Sequence, residues 1–221
     1  MSAASVVRPF EVRHLQLSRA LFAAIAAVMI TFSRDHSALV GMSVFSGFAM
    51  ATALVFFLGA WLVFPSGRRA TPVLLGVVAF VAGVLGGVPS LRTTVAFFVV
   101  VVSWAALSGL IELIAGIRHR RAGEPAARDE ILIGALGLVL AAGLLLVNPA
   151  YALDYVIEEA GSFTLTGITI GVGLYGGYAA VVAVFLGIAG FSPRRAEPTA
   201  ETTDGVVVDA SPSATNPEVA S

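Results

Sequence analysis

The chain has 221 residues, 57% hydrophobic and 12% charged, with a mean hydropathy of +0.92. A soluble domain carries about 25% charged residues, so this chain has too little polar surface to face water, and lipid must solvate much of it. A net charge of −1 excludes an electrostatic nucleic-acid binder, and the absence of Cys excludes disulfides and thiolate chemistry. All 13 basic residues are Arg, so Schiff-base and Walker-type lysine chemistry are excluded as well.

In chain order, residues 1–14 form a short N-terminal segment, with Phe10 as a candidate interfacial anchor. Apolar runs then predict membrane-spanning helices at about 17–32, 38–64, 72–88, 93–117, 131–147 and 163–191. Each is near the roughly 20 residues that a bilayer core requires. The first run also reads as a signal peptide, with a basic region ahead of an apolar core at 20–32. The even number of spans and the repeat described below favour its retention. The spans make an all-α, six-helix transmembrane domain at 15–191, followed by a Pro-, Ser- and Thr-rich segment at 192–221. That segment has almost nothing apolar to bury, and a disordered cytoplasmic tail is expected.

Arginine sets the expected orientation. Eleven of the 13 fall on one side of the predicted spans, in the clusters Arg8–Arg19, Arg68–Arg69, Arg118–Arg128 and Arg194–Arg195. Only Arg34 and Arg92 fall on the other. The excess of basic residues inside places both termini in the cytoplasm of a bacterial plasma-membrane protein. The fifth connection, 148–162, lies outside and carries Asp154, Glu158 and Glu159.

The chain repeats itself. GVLGGVP at 83–89 and GLLLVNP at 143–149 both end a span with Gly six residues before Pro. Ser46-Gly47, Ser108-Gly109 and Gly176-Gly177 echo one another in the even-numbered spans. Three tandem helical hairpins follow, at about 15–69, 70–121 and 129–195.

Small residues at four-residue spacing mark candidate helix-packing positions: Gly47, Gly83, Gly87, Gly109, Gly116, Gly171 and Gly177. Such residues let helix backbones approach closely. Packing within the chain is the favoured reading, and a homo-oligomeric seam on the sixth span is the alternative. A broken transporter-type helix ranks third, because that span offers only Thr and Tyr as polar groups.

Glu112 is the one ionisable residue well inside a predicted span, in SGLIELIAGIRHRR. A carboxylate in hydrocarbon is costly and is a functional candidate by default. Ser108, Glu112 and Gly116 share one helix face, and the basic end of the span is near. A structural lock to Arg68, Arg69, Arg118 or Arg121 is therefore favoured over proton carriage.

His14, His36 and His119 lie in termini or connections without metal-ligand spacing. His36, with Asp154, Glu158 and Glu159, is the candidate external pH-titrating set. The sequence has no nucleophile elbow, zinc-protease helix or phosphate-cradling loop. No catalytic residue, cofactor or metal site is assigned; the lipid bilayer is the partner, nucleic acid is not, and no ligand is specified.

The stretch SWAALSGLIELIAGIRHRR, followed by ILIGALGLVLAAGLLLVNP, resembles the HdeD-like family of bacterial six-span membrane proteins. Trp104, Gly109, Glu112, Gly116, Arg118, Gly134, Gly143 and Pro149 carry the resemblance, which covers about half the chain. The resemblance implies a non-enzymatic inner-membrane protein with a part in acid or envelope stress. A small transporter or channel is the alternative, and polar residues lining a path discriminate the two.

Overall fold

In a computed structural model, residues 11–124, 127–158 and 161–192 are described. Arg8, Phe10, Glu159, Arg194, Arg195 and the predicted tail beyond 192 lie outside the described residues. The helices are α1 (Val12–Phe32), α2 (Ala38–Leu62), α3 (Ala70–Gly87), α4 (Thr94–Arg121), α5 (Ala127–Leu146) and α6 (Gly167–Phe191). All six are long and apolar enough to cross a membrane. The protein is an integral membrane protein built from a helical bundle.

Local chemistry explains where the helices begin and end. The even-numbered helices start on hydroxyl caps, since Ser37, Thr93 and Thr166 accept hydrogen bonds from the amides of Val40, Ala96 and Thr169. The last turn of α4 carries Arg118, His119, Arg120 and Arg121, and the first turn of α5 carries Asp129 and Glu130. Both charge sets oppose the helix dipole at their end. Between them Gly123 has φ +75°, a left-handed conformation that glycine adopts without a Cβ clash.

Consecutive helices touch, and α1 closes the ring against α6. The three expected hairpins are thus present as α1–α2, α3–α4 and α5–α6. The closer packing, however, runs between hairpins, in the pairs α2–α3, α4–α5 and α6–α1. One residue of each echoed pair, Ser46, Gly109 and Gly176, sits in these close pairs. The Ser46 hydroxyl of α2 donates to the Gly83 carbonyl of α3 at 2.7 Å. Gly109 of α4 faces Gly134 of α5, and Gly176 of α6 faces Ile30 of α1.

Helix α2 is the most buried span. Phe45 packs edge-on to Trp104 and Tyr175, with ring centroids 5.3 and 5.5 Å away. The outer faces are apolar, with Leu54, Val99, Val139, Val184 and Ile188 exposed. Water would penalise such a surface, whereas a bilayer accepts it. Trp61 is exposed near the end of α2, as an interfacial anchor would be.

The fifth connection differs from expectation. Residues 163–166, predicted as the start of the sixth helix, belong instead to a two-stranded antiparallel hairpin, β1 (Ala152–Ile157) and β2 (Gly161–Thr166). Aromatic and hydroxyl residues alternate along it, which suits strand pairing. Tyr155 stacks on Phe163 at 5.8 Å, and the Thr164 hydroxyl donates to Asp154 at 2.6 Å. Gly161, at φ +97°, opens the returning strand.

Candidate functional site

Helix α4 presents Glu112 to the bundle interior, and α1 brings Arg19 to meet it. Arg19 Nη2 donates to Glu112 Oε1 at 2.6 Å, with the two side chains only 18% and 8% exposed. The Arg19 guanidinium carbon lies 4.5 Å from the centre of the Phe56 ring of α2. Carboxylate, guanidinium and ring therefore tie three helices together.

The expected partners of Glu112 are corrected by this geometry. Arg68 makes a two-armed contact with Glu124, with nitrogen–oxygen distances of 2.7 and 3.1 Å, and Arg69 donates to the Phe64 carbonyl at 3.0 Å. Arg118 and Arg121 are exposed at the end of α4. Helix geometry explains why. At 100° per residue, Arg118 stands roughly 240° and Arg121 about 180° around α4 from Glu112. Side chains also lean toward a helix's N-terminus, which aims Glu112 away from both.

The ion pair forms the floor of a cavity of about 260 Å³. The cavity extends toward the Arg-rich end, where Arg68 and Glu124 line it beside Pro65 and Thr71. Its walls are aliphatic and aromatic, from Leu15, Phe56, Phe64, Leu75, Ile133 and Leu186. Its polar lining is paired: Gln16 Nε2 donates to Asp129 Oδ2 at 3.0 Å, and His119 Nδ1 lies 2.6 Å from Glu130 Oε2. Each lining Arg meets a carboxylate, whereas among the described residues Asp129 meets only the neutral Gln16.

Beneath the pair lies a smaller chamber of about 20 Å³, which shares Arg19, Phe56, Leu75 and Glu112 with the larger one. That is room for about one water. Ser108, Trp104, Tyr178 and Thr52 line it. The Ser108 hydroxyl donates back to the Trp104 carbonyl at 2.6 Å. Thr52 Oγ1 is buried without a partner among the described residues, in a residue only 4% exposed. A buried unsatisfied hydroxyl is costly and calls for an occupant. The Tyr175 hydroxyl, in the aromatic core, is also buried without a partner among the described residues.

The predicted glycines divide. A Cβ at Gly109 would lie 2.8 Å from the Gly134 carbonyl oxygen, and one at Gly116 would lie 2.7 Å from the Ile131 nitrogen. At Gly83 it would meet Met50, and at Gly171 it would meet Phe98, both at 2.8 Å. Gly87 is exposed, with only Ser46 Oγ at 3.4 Å from a built Cβ. Gly47 and Gly177 are corrected as positions of packing within the chain: both are exposed and no atom of the described residues lies within 4 Å of a built Cβ. Four-residue spacing finds a helix face but does not say which face meets protein.

The external set stays apart. His36 is half-buried in the α1–α2 connection, while Asp154 accepts from Thr164 in the β-hairpin and Glu158 is exposed in its turn. The Asp35 carboxylate accepts from the Ser37 amide and hydroxyl, at 2.8 and 2.9 Å, and so braces the start of α2. Sequence reasoning missed Arg19, Gln16, Thr52, His119, Asp129 and Glu130 as one site. The usable signal was α1 itself, because Gln16 and Arg19 stand three residues apart on one helical face.

The class defined by fold and site is a six-helix membrane-spanning bundle with a mostly apolar cavity at one end, floored by a buried ion pair. Comparison with protein-family models, with curated proteins and with solved structures finds no match.

Proposed function

We propose that this chain is a non-enzymatic, multi-pass protein of the bacterial plasma membrane, with both termini cytoplasmic, and that it takes a small solute into its Arg-rich end. The orientation rests on the asymmetry of Arg between the two ends. The observation that carries the solute reading is the cavity of about 260 Å³ ending on the buried Arg19–Glu112 pair. A pair serving only as a lock needs no space above it, and close packing would fill that space with side chains. The site has no nucleophile beside a general base, so binding and transport chemistry suit it better than bond cleavage.

The resemblance to HdeD-like proteins supplies the physiological setting, acid or envelope stress. Of the residues that carry the resemblance on α4, Glu112 and Trp104 line the cavity system and Gly109 and Gly116 hold α5 close. The test is survival of a deletion strain at low pH. The parent chain should restore survival. Thr71→Trp, which fills the cavity and leaves the ion pair in place, should not, at equal membrane levels of the two proteins. Undiminished survival of the deletion strain would overturn the stress reading. Full rescue by Thr71→Trp would overturn the solute reading.

A further inference from the structure

We infer that the cavity is a binding site for a small organic cation, and that Arg19 is a tethered cation holding the ligand's seat until the ligand arrives. The inference rests on the reading of the cavity as a solute site and names the class of solute.

The charge balance of the cavity excludes an anion. Its lining holds four carboxylates, Glu112, Glu124, Asp129 and Glu130, against two guanidiniums, Arg19 and Arg68, and the His119 imidazole, which is taken up by Glu130 at 2.6 Å. Both guanidiniums are already engaged by carboxylates, at 2.6 and 2.7 Å. An anion entering between aliphatic walls would meet no free cation and would face the uncompensated Asp129. In low dielectric that repulsion is weakly screened.

The floor already displays the chemistry that recognises a cation. Glu112 supplies a buried carboxylate, Phe56 a ring face at 4.5 Å, and Arg19 fills both. Below them Thr52 Oγ1 has no partner among the described residues and lines the small chamber, so a bound head group with a spare N–H has an acceptor waiting there. Leu15, Leu75 and Ile133 provide an apolar wall for the ligand's body.

Asp129 gives Arg19 somewhere to go. It lines the same cavity, it has no cationic partner among the described residues, and Gln16, one helical turn before Arg19 on the same face of α1, already reaches it. When the ligand's amidinium or ammonium takes Glu112 and Phe56, Arg19 turns to Asp129. Glu112 and Arg19 then each keep an opposite charge in both states, and Asp129 gains one when the ligand binds. Ligand binding is thereby coupled to the α1–α5 contact, and binding competes with the resident guanidinium for one seat.

The probe is benzamidinium, with benzoate and benzyl alcohol as its anionic and neutral counterparts of similar size. Binding is measured by titration calorimetry on the full chain in lipid nanodiscs. Benzamidinium should saturate the parent, and the counterparts should not. Arg19→Gln should bind benzamidinium about tenfold more tightly, because the competing state is gone. Asp129→Asn leaves the buried pair untouched and removes the second seat of Arg19, so it should bind about tenfold more weakly. Thr52→Val should also weaken binding. Unchanged affinity in both Arg19→Gln and Asp129→Asn would overturn the inference, and Asp129→Asn keeps it testable if Arg19→Gln does not fold. Saturable benzoate binding would overturn the cation class and leave the solute reading standing. An Arg-rich-end cavity closed to aqueous reagents would remove the solute reading itself.

Discussion

Gly134→Ala is expected to melt earlier than the parent in detergent, by an amount corresponding to about 1–3 kcal/mol. Two effects oppose each other at this position. Ala is the better helix former, worth up to about 1 kcal/mol. Against that, a Cβ at Gly134 would lie 2.5 Å from the Leu113 nitrogen and 2.7 Å from the Gly109 carbonyl oxygen. Both are backbone atoms of a packed helix and cannot rotate away. The α4–α5 crossing must open along its length, so the clash wins. Gly134→Leu should cost more, and Gly109→Leu should behave likewise from the other side. The contrast is with Gly47→Ala and Gly177→Ala. Each new methyl there enters open space on an exposed face, and only the helix-propensity gain remains. Those two variants should melt with the parent or slightly above it. A Gly134→Ala protein as stable as the parent would refute the close α4–α5 packing.

The second large effect is at Glu112. Glu112→Ala should destabilise by about 3–5 kcal/mol, because it leaves a buried guanidinium without its carboxylate. Arg19 is 18% exposed and lies in the first half of α1, so partial withdrawal toward the polar end places the cost at the lower part of that range. Glu112→Gln should be milder, since the amide still accepts a hydrogen bond from Arg19. The double variant Glu112→Leu/Arg19→Leu should recover most of the loss, because two apolar side chains replace two buried charges. Thermal melts of the parent, Glu112→Leu, Arg19→Leu and the double variant form a double-mutant cycle that reads the coupling directly. Additive losses in the double variant would contradict the pairing.

The spans were legible because hydrocarbon thickness leaves little freedom in helix length, and α2 to α5 begin or end within a few residues of their apolar runs. The faces were not legible. In a soluble helix, polarity marks the outer side, but here lipid and core are both apolar and that contrast disappears. Gly83 and Gly177 therefore look alike in sequence, yet one meets Met50 and the other meets nothing.

Glu112 stood out because a charge in hydrocarbon needs a reason. Its partner was hidden for two reasons. Arg19 reads as a flank of the first apolar run, although α1 begins at Val12 and carries it inside a helix. The contact also joins residues 93 positions apart, which no local pattern records. The β-hairpin escaped notice because aromatic and β-branched residues at 163–166 extend an apolar helical run as readily as they form a strand. The alternation of Phe163 and Leu165 with Ser162 and Thr164 was the signal that distinguished them.

A cavity that opens to water at the proposed cytoplasmic end and stops at the Arg19–Glu112 pair is reachable by an aqueous reagent from one side of the membrane. Because the chain contains no Cys, a single introduced thiol reports without background. Thr71→Cys lines that cavity, whereas Gly177→Cys faces outward into lipid. A charged, membrane-impermeant methanethiosulfonate should label Thr71→Cys in inverted membrane vesicles and leave it unmodified in intact cells, with Gly177→Cys silent in both. Labelling of Thr71→Cys in intact cells would contradict the orientation, and silence in inverted vesicles would contradict the cavity.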